Sequence, residues 1–174
     1  MAIITQTLKT ETIKLIKENF DSSANHYFIG IGRSDEWNST DTAPSAENHA
    51  VEGRLFRNSL QSVKKVENAS LVIPRYNWTS GNEFTAFSDS VVGIPANSYY
   101  VLTDANEVYI CIKSAKNSSG AIQVSTVKPS YIAAGVASTQ AFETSDGYVW
   151  KYMYESTAAR AAAFLTSNWL PVQF

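Results

Sequence analysis

The chain carries few residues with the chemistry of a catalytic or metal-binding site. It contains only two histidines, His26 and His49, and one cysteine, Cys111. Neither histidine belongs to an HExxH pattern, and no ligand spacing typical of zinc surrounds the cysteine. Cys111 lies within an apolar segment, so we expect a buried thiol that contributes to packing. We expect His26 at the entry of a strand and His49 on the surface of a helix. The sequence predicts no metal site and no cofactor.

A Gly-x-Gly pattern in FIGIGRS (residues 28–34) is the nearest approach to a phosphate-binding motif. A dinucleotide fingerprint needs a third glycine, but Asp35 and Glu36 fall there, with the wrong charge for a phosphate. Gly30 and Gly32 are therefore expected to let another backbone or a bulky ring approach a strand closely. The two adjacent carboxylates would point to different sides of an extended segment, which disfavours shared catalysis. With no nucleophile elbow or Walker lysine, we expect the protein not to be an enzyme.

Composition narrows the class of protein further. The net charge of −2 lacks the basic stripe of a nucleic-acid binder, so no nucleic-acid partner is expected. No apolar run approaches the roughly 18 residues of a membrane span, so no membrane span is expected. The single cysteine excludes an internal disulfide and indicates folding in a reducing cytoplasm. Hydrophobic residues make up 44% of the chain, which is enough for a packed core.

Three segments of the sequence have patterns typical of helices. Residues 7–20 read as an amphipathic helix with apolar residues at spacings of three and four. A second helix is predicted over 46–63. A short alanine-rich helix is predicted over 156–166, with Ser156 or Thr157 as its N-cap.

The remaining segments predict strands and hairpins. Period-two or apolar runs bounded by turn residues predict a buried strand over 26–32, a strand over 66–74, and hairpins over 98–113 and 140–155. The last residues of the chain are expected to be extended. The predicted class is α+β, with mainly antiparallel strands and hairpins, an N-terminal amphipathic helix and a short C-terminal helix in a single domain over 1–174.

Aromatic residues supply the candidate functional surface. In DGYVWKYMY (146–154), strand alternation places Tyr148, Trp150, Tyr152 and Tyr154 on one face, directed to the core or to a neighbouring subunit. Other aromatics lie in polar segments with no period to bury them, and they are expected to act as loop plugs or as anchors of a protein interface. The candidate interface residues are Trp37, Arg75, Tyr76, Trp78, Tyr148, Trp150 and Tyr152.

Six segments in order resemble a known family. They are NHYFIGIGRSDEW (25–37), LVIPRYNW (71–78), YVLTDANEVYICI (100–112), STVKPS (125–130), DGYVWKYMY (146–154) and FLTSNWLPV (164–172). Together they resemble the baseplate wedge protein family of T-even-like contractile-tailed bacteriophages, including relatives from phages of cyanobacteria. The resemblance extends from about residue 7 to the end of the chain.

The resemblance implies a structural role in the virion. Members of the family are non-catalytic; they contact other baseplate wedge subunits and tail proteins, form homodimers, and are assembled into the tail baseplate in the host cytoplasm. The founding members continue well past the region that resembles 146–172, so this chain is expected to lack the contacts made there. The loop over 33–48 holds only Pro44, where relatives often have several prolines.

Two other functions are compatible with the residues. Aromatic rings beside Asn, Asp and Thr can stack on sugars, which suggests a carbohydrate-binding or adhesin-like tail module. That alternative lacks a glycine-rich β repeat. An enzyme is the third alternative, and its weakness is the lack of a candidate general base.

Overall fold

A computed structural model describes residues 6–32, 49–90 and 98–173. The chain divides into two compact units, Met1–Ala69 and Ser70–Phe174, and each is described by itself. The single domain expected from the sequence stays a prediction. The α+β class is confirmed, and every pair of named strands is antiparallel.

The first unit combines two helices with a two-stranded ribbon. Its described elements are α1 (Gln6–Asp21), β1 (Phe28–Gly32), α2 (His49–Asn58) and β2 (Leu60–Lys65). The N-terminal helix is therefore confirmed. The second helix was predicted to reach residue 63, and this is wrong, because the chain turns at Ser59 and residues 60–65 pair with β1 instead. The Ser59 amide donates to the Phe56 carbonyl at 3.2 Å and closes that turn.

The glycines of β1 allow the close approach that the sequence predicted. A Cβ atom on Gly30 would lie 2.8 Å from Leu60 Cδ2 and 3.3 Å from Phe56 Cζ. A Cβ atom on Gly32 would lie 3.1 Å from the Ser59 carbonyl oxygen. The two glycines therefore allow the Phe56 ring and the Ser59 backbone to pack closely against β1.

The ribbon is not buried. Phe28, Ile29 and Ile31 are 61%, 60% and 63% exposed, so the prediction of a buried strand is wrong. Successive strand residues point to opposite faces, which means that both faces of this ribbon present apolar side chains. A strand is buried only where a second layer of structure packs against it, so an apolar sequence alone does not predict burial.

The second unit is built on a four-stranded sheet and a two-stranded ribbon. Its elements are β3 (Val72–Pro74), β4 (Tyr100–Leu102), β5 (Glu107–Lys113), β6 (Ala141–Glu143), β7 (Val149–Glu155), α3 (Ala158–Phe164) and β8 (Trp169–Pro171). The sheet has the order β4-β5-β7-β6, and β3 pairs with β8. The strand predicted over 66–74 is confirmed only in its last three residues. The extended C-terminal segment is confirmed as β8.

Both predicted hairpins and the C-terminal helix are confirmed. The β4–β5 turn places Asn106 at φ 59°, and the β6–β7 turn places Gly147 at φ 84°. These left-handed conformations favour Asn and Gly, which explains why these residue types occur at the two turns. Thr157 caps α3, where its hydroxyl accepts from the Arg160 amide.

Apolar side chains pack on both faces of the sheet. Because neighbours in a strand point to opposite faces, Val101 and Leu102 of β4 belong to different clusters. The larger cluster contains Phe84, Val101, Tyr109, Cys111, Ala115, Phe142, Tyr148 and Trp150. The smaller cluster contains Tyr100, Leu102, Val108 and Leu170, and so connects the sheet to the β3–β8 ribbon.

A β-bulge separates the aromatic residues of β7. Tyr152 pairs with Tyr109, whereas Tyr154 pairs with Val108, and the register shifts between them. Since Val108 and Tyr109 point to opposite faces, Tyr154 packs against the smaller cluster while Tyr152 packs against the larger one. The prediction that all four aromatics share one face is therefore wrong for Tyr154, because a bulge interrupts the alternation.

Candidate protein-protein interface

Two of the candidate interface residues lie in the core of the second unit. Tyr148 and Trp150 are both 0% exposed, and their rings stack with centroids 5.5 Å apart. Phe84 meets the Trp150 ring edge to face at 5.6 Å. The strand pattern of 146–154 left open whether these rings contact the core or a neighbouring subunit, and these two residues lie in the core. Tyr152 is partly buried and packs against Tyr131 at a ring distance of 4.8 Å.

Trp78 packs onto the larger cluster as a loop plug. Its indole Nε1 donates to Ser125 Oγ at 3.1 Å, and its backbone amide donates to the Leu102 carbonyl at 2.9 Å. The side chain is half-buried. Trp37, the other tryptophan in a polar segment, lies outside the described residues, and its interface role stays a prediction.

The side chain of Arg75 is held in place at the surface by neutral acceptors. Its Nε donates to Asn77 Oδ1 at 2.8 Å, and its Nη1 donates to the Thr166 carbonyl at 2.9 Å. Its backbone amide donates to the Asn168 carbonyl at 2.9 Å. Among the described residues Arg75 forms no ion pair. The guanidinium is thus ordered by neutral groups.

Tyr76 connects Arg75 to the smaller cluster. Its ring meets Tyr100 edge to face at 5.4 Å, and its carbonyl accepts from the Leu102 amide at 2.7 Å. The Tyr100 hydroxyl donates to the Pro74 carbonyl at 2.6 Å. Arg75 therefore begins a segment whose backbone and side chains are tied to β4.

An open cavity of about 530 Å³ lies beside Arg75. We call it the Arg75 groove; its lining includes Arg75, Tyr76, Asn77, Asn82, Glu83 and Val124. Backbone bridges from Asn77 to Leu102 and from Asn82 to Ser125 position two of its lining segments. Gly81, at φ 92°, makes the turn between them. The groove therefore has a defined backbone and side chains of both charges.

Trp169 is an exposed aromatic near the groove that the sequence did not single out. It is 44% exposed and lies opposite Pro74 in the β3–β8 pairing, so it is next to the residue that precedes Arg75. Nothing in its sequence context separates it from the other tryptophans. Its exposure follows from the ribbon, which directs its neighbour Leu170 into the core.

Asp146, in the turn between β6 and β7, is the centre of a hydrogen-bond cluster. Its Oδ2 accepts from the amides of Thr126 at 2.8 Å and Val127 at 2.9 Å, and from Ser125 Oγ at 3.0 Å. Thr144 donates its hydroxyl to Oδ1. Burial alone would raise the pKa of Asp146, but these hydrogen bonds hold that pKa below its usual range. The carboxylate clamps the β6–β7 turn to the segment 125–127.

The residues with catalytic potential do not assemble. His26 is exposed, two residues before β1, and His49 is the first residue of α2. Cys111 is a fully buried packing thiol, as predicted, and burial raises its pKa to about 11. Within the described residues there is no group of three or more His, Cys, Asp or Glu side chains that could hold a metal ion. The same part of the chain has no helix long and apolar enough to cross a membrane.

Comparison with protein-family models and with curated proteins finds no match for this chain.

Proposed function

We propose that the protein is a structural subunit of a phage tail baseplate wedge, acting through protein-protein interfaces in assembly of a contractile tail. The ordered resemblance of six segments motivates the identity of the assembly. Its partners would be other wedge subunits and tail proteins, and its location the virion baseplate.

The observation that carries the proposal is the exposed apolar surface of the first unit. Nine large apolar side chains there are at least 45% exposed: Leu8, Ile13, Leu15, Ile16, Phe28, Ile29, Ile31, Phe56 and Val63. Scattered apolar residues are ordinary on protein surfaces, but such a concentration on two helices and one ribbon is typical of surfaces that a partner covers. Covering each such side chain contributes about 1 kcal/mol or more to association.

The Arg75 groove and Trp169 support the same proposal in the second unit. Arg and Trp are enriched among the few residues that dominate the free energy of protein interfaces. The Arg75 guanidinium is already positioned by Asn77 and the Thr166 carbonyl, so binding costs less side-chain entropy.

The experiment is quantitative mass spectrometry of purified virions that have been disrupted and separated into head and tail fractions. We expect the chain to sediment with baseplate and wedge components in a fixed ratio to them. A capsid protein measured in the same fractions controls for carry-over. Absence of the chain from the tail fractions would refute the proposal.

A carbohydrate-binding module has less support. Sugar binding would need exposed aromatic rings, and Trp78 was one candidate. The Trp78 ring packs on the core, and its N–H group already donates to Ser125. Specific binding on a glycan array that Trp169→Ala abolishes would favour this alternative.

A further inference from the structure

We propose that the Arg75 groove binds the carboxylate of an Asp or Glu side chain, presented by an extended segment of a partner protein. The identity of the partner as a tail protein rests on the proposed function, whereas the recognition of a carboxylate rests on the groove alone.

Arg75 forms no ion pair among the described residues, although Glu83 lines the same groove. Asn77 Oδ1 and the Thr166 carbonyl, which accept from Nε and Nη1, are both neutral groups. Among the described residues the hydrogen bonds of the Arg75 side chain come from Nε and Nη1, so Nη2 is the donor that we assign to the ligand. Hydrogen bonds from guanidinium to carboxylate are shorter and stronger than those to neutral acceptors. A carboxylate is therefore the acceptor that best completes the site.

The guanidinium of Arg75 is oriented before any ligand binds. Two hydrogen bonds already restrict its rotation, and the Arg75 backbone is fixed by its bond to the Asn168 carbonyl. An exposed ion pair is weak largely because two long side chains must be ordered at once. Here one of the two is ordered before the ligand arrives.

The charges of the groove and of the chain favour a carboxylate over a phosphate, and a protein over a nucleic acid. Glu83 lines the same groove, so a dianion beside Arg75 would meet a second negative charge nearby. A monovalent carboxylate meets less repulsion. The chain as a whole has a net charge of −2, which disfavours a polyphosphate backbone.

The groove also suits an extended segment. Its volume of about 530 Å³ accommodates a side chain with its flanking backbone. Tyr76 and the 45% exposed Val124 offer apolar contact, and Asn82 offers an amide that can bond a peptide backbone.

The test titrates the full-length chain with acetyl-Gly-Glu-Gly-amide and, as the matched control, acetyl-Gly-Gln-Gly-amide. Nitrogen-15 NMR follows the arginine Nε–H groups up to about 20 mM peptide, because a single ion pair near the surface binds weakly. We expect a shift at Arg75 that grows with the concentration of the Glu peptide and does not occur with the Gln peptide. Arg54 and Arg57, both exposed on α2, serve as internal controls for non-specific charge effects.

Two variants locate the effect. The backbone amides of the groove are recorded in the same titration, and Arg75→Gln should abolish the shifts that the Glu peptide causes there. Glu83→Gln should tighten binding of the Glu peptide by about two-fold or more, because it removes a like charge. A shift at Arg75 no larger than at Arg54 and Arg57, or an equal response to the Gln peptide, would overturn the proposal.

A second measurement separates this inference from the proposed function. In purified tails carrying Arg75→Lys, carbodiimide should couple the new amine to an Asp or Glu of a neighbouring subunit, which mass spectrometry would identify. If the chain is in the tails but no such cross-link forms, the inference is overturned and the function stands. If the chain is absent from tails yet the Glu peptide binds as expected, the function fails and the carboxylate site stands.

Discussion

Replacing Asp146 with asparagine should loosen the β6–β7 turn from the segment 125–127. The substitution keeps the size of the side chain and removes its charge. Oδ2 accepts three hydrogen bonds, at 2.8, 2.9 and 3.0 Å, two of them from backbone amides. Two of those donors have no freedom to turn away, so the loss of charge acts directly on the clamp.

The magnitude follows from the number and kind of these bonds. A hydrogen bond to a charged group contributes about 1.5–3 kcal/mol, against about 0.5–1.5 kcal/mol for a neutral one. Three such differences would add to roughly 3 kcal/mol, but bonds to one atom are not additive and water reaches this turn. We therefore expect Asp146→Asn to lower the free energy of unfolding by about 1–2 kcal/mol at pH 7.

The pH dependence gives a second signature. The folded-state pKa of Asp146 is lowered, so its stabilisation is fully present above the unfolded-state pKa of about 4. The stabilisation is lost as the pH falls through the folded-state pKa. The difference in unfolding free energy between the native chain and Asp146→Asn should therefore be constant from pH 7 to about 5 and shrink below about 4.

The assay is urea denaturation of the full-length chain, followed by far-ultraviolet circular dichroism and by tryptophan fluorescence. Asp104→Asn is the matched control, since Asp104 lies in the β4–β5 turn and its carboxylate is exposed, where it pairs with Lys128. We expect little change for that variant. A change for Asp146→Asn below about 0.5 kcal/mol at pH 7, or one that persists unchanged to pH 2, would refute the clamp.

Three further predictions use the same denaturation assay or a simple chemical probe. Trp78→Ala should lower the free energy of unfolding by about 2–4 kcal/mol, because it removes a half-buried ring and a hydrogen bond. Trp169→Ala should lower it by less than about 1.5 kcal/mol and weaken tail assembly instead. Equal losses of stability would contradict the assignment of Trp78 to the core and Trp169 to the surface. Gly32→Ala should destabilise the chain by about 1 kcal/mol, because its Cβ would lie 3.1 Å from the Ser59 carbonyl oxygen, a backbone atom that cannot rotate away. The control Gly53→Ala, with open space around its Cβ, should stabilise α2 by about 0.5–1 kcal/mol. The Cys111 thiol is fully buried, and burial raises its pKa to about 11. It should therefore react with an aromatic disulfide reagent at pH 8 only when the chain unfolds. Rapid reaction of the native protein would show that this side of the sheet opens.

Local signals predicted the hairpins because the physics of a turn is local. Asn106 and Gly147 adopt positive φ, and the residue types that tolerate this conformation are recognisable in the sequence. The N-cap at Thr157 is recognisable for the same reason, since a hydroxyl and an amide three residues apart determine it. The close approach to Gly30 was also predictable as a type of contact, although its partners were not.

Non-local pairing explains the errors. Residues 60–65 have a pattern compatible with a helix, but they complete the hydrogen bonds of β1, a strand some thirty residues earlier in the chain. The alternation in β7 is correct up to Tyr152 and fails at Tyr154, because the register shift is set by the pairing with β5. Neither effect has a signal within its own segment.

The sequence by itself determined the α+β class, the turns, the helix cap and the burial of Cys111, since each depends on residue type and near neighbours. It also determined that aromatic residues and Arg75 would be the candidates for a surface. Only the tertiary structure decided which of them are exposed: it placed Trp150 in the core, made Trp78 a plug, and left Trp169 beside Pro74 at the surface. The physical reason is that a tryptophan is buried or exposed according to what packs over it, and in this protein the covering segments are distant in the chain.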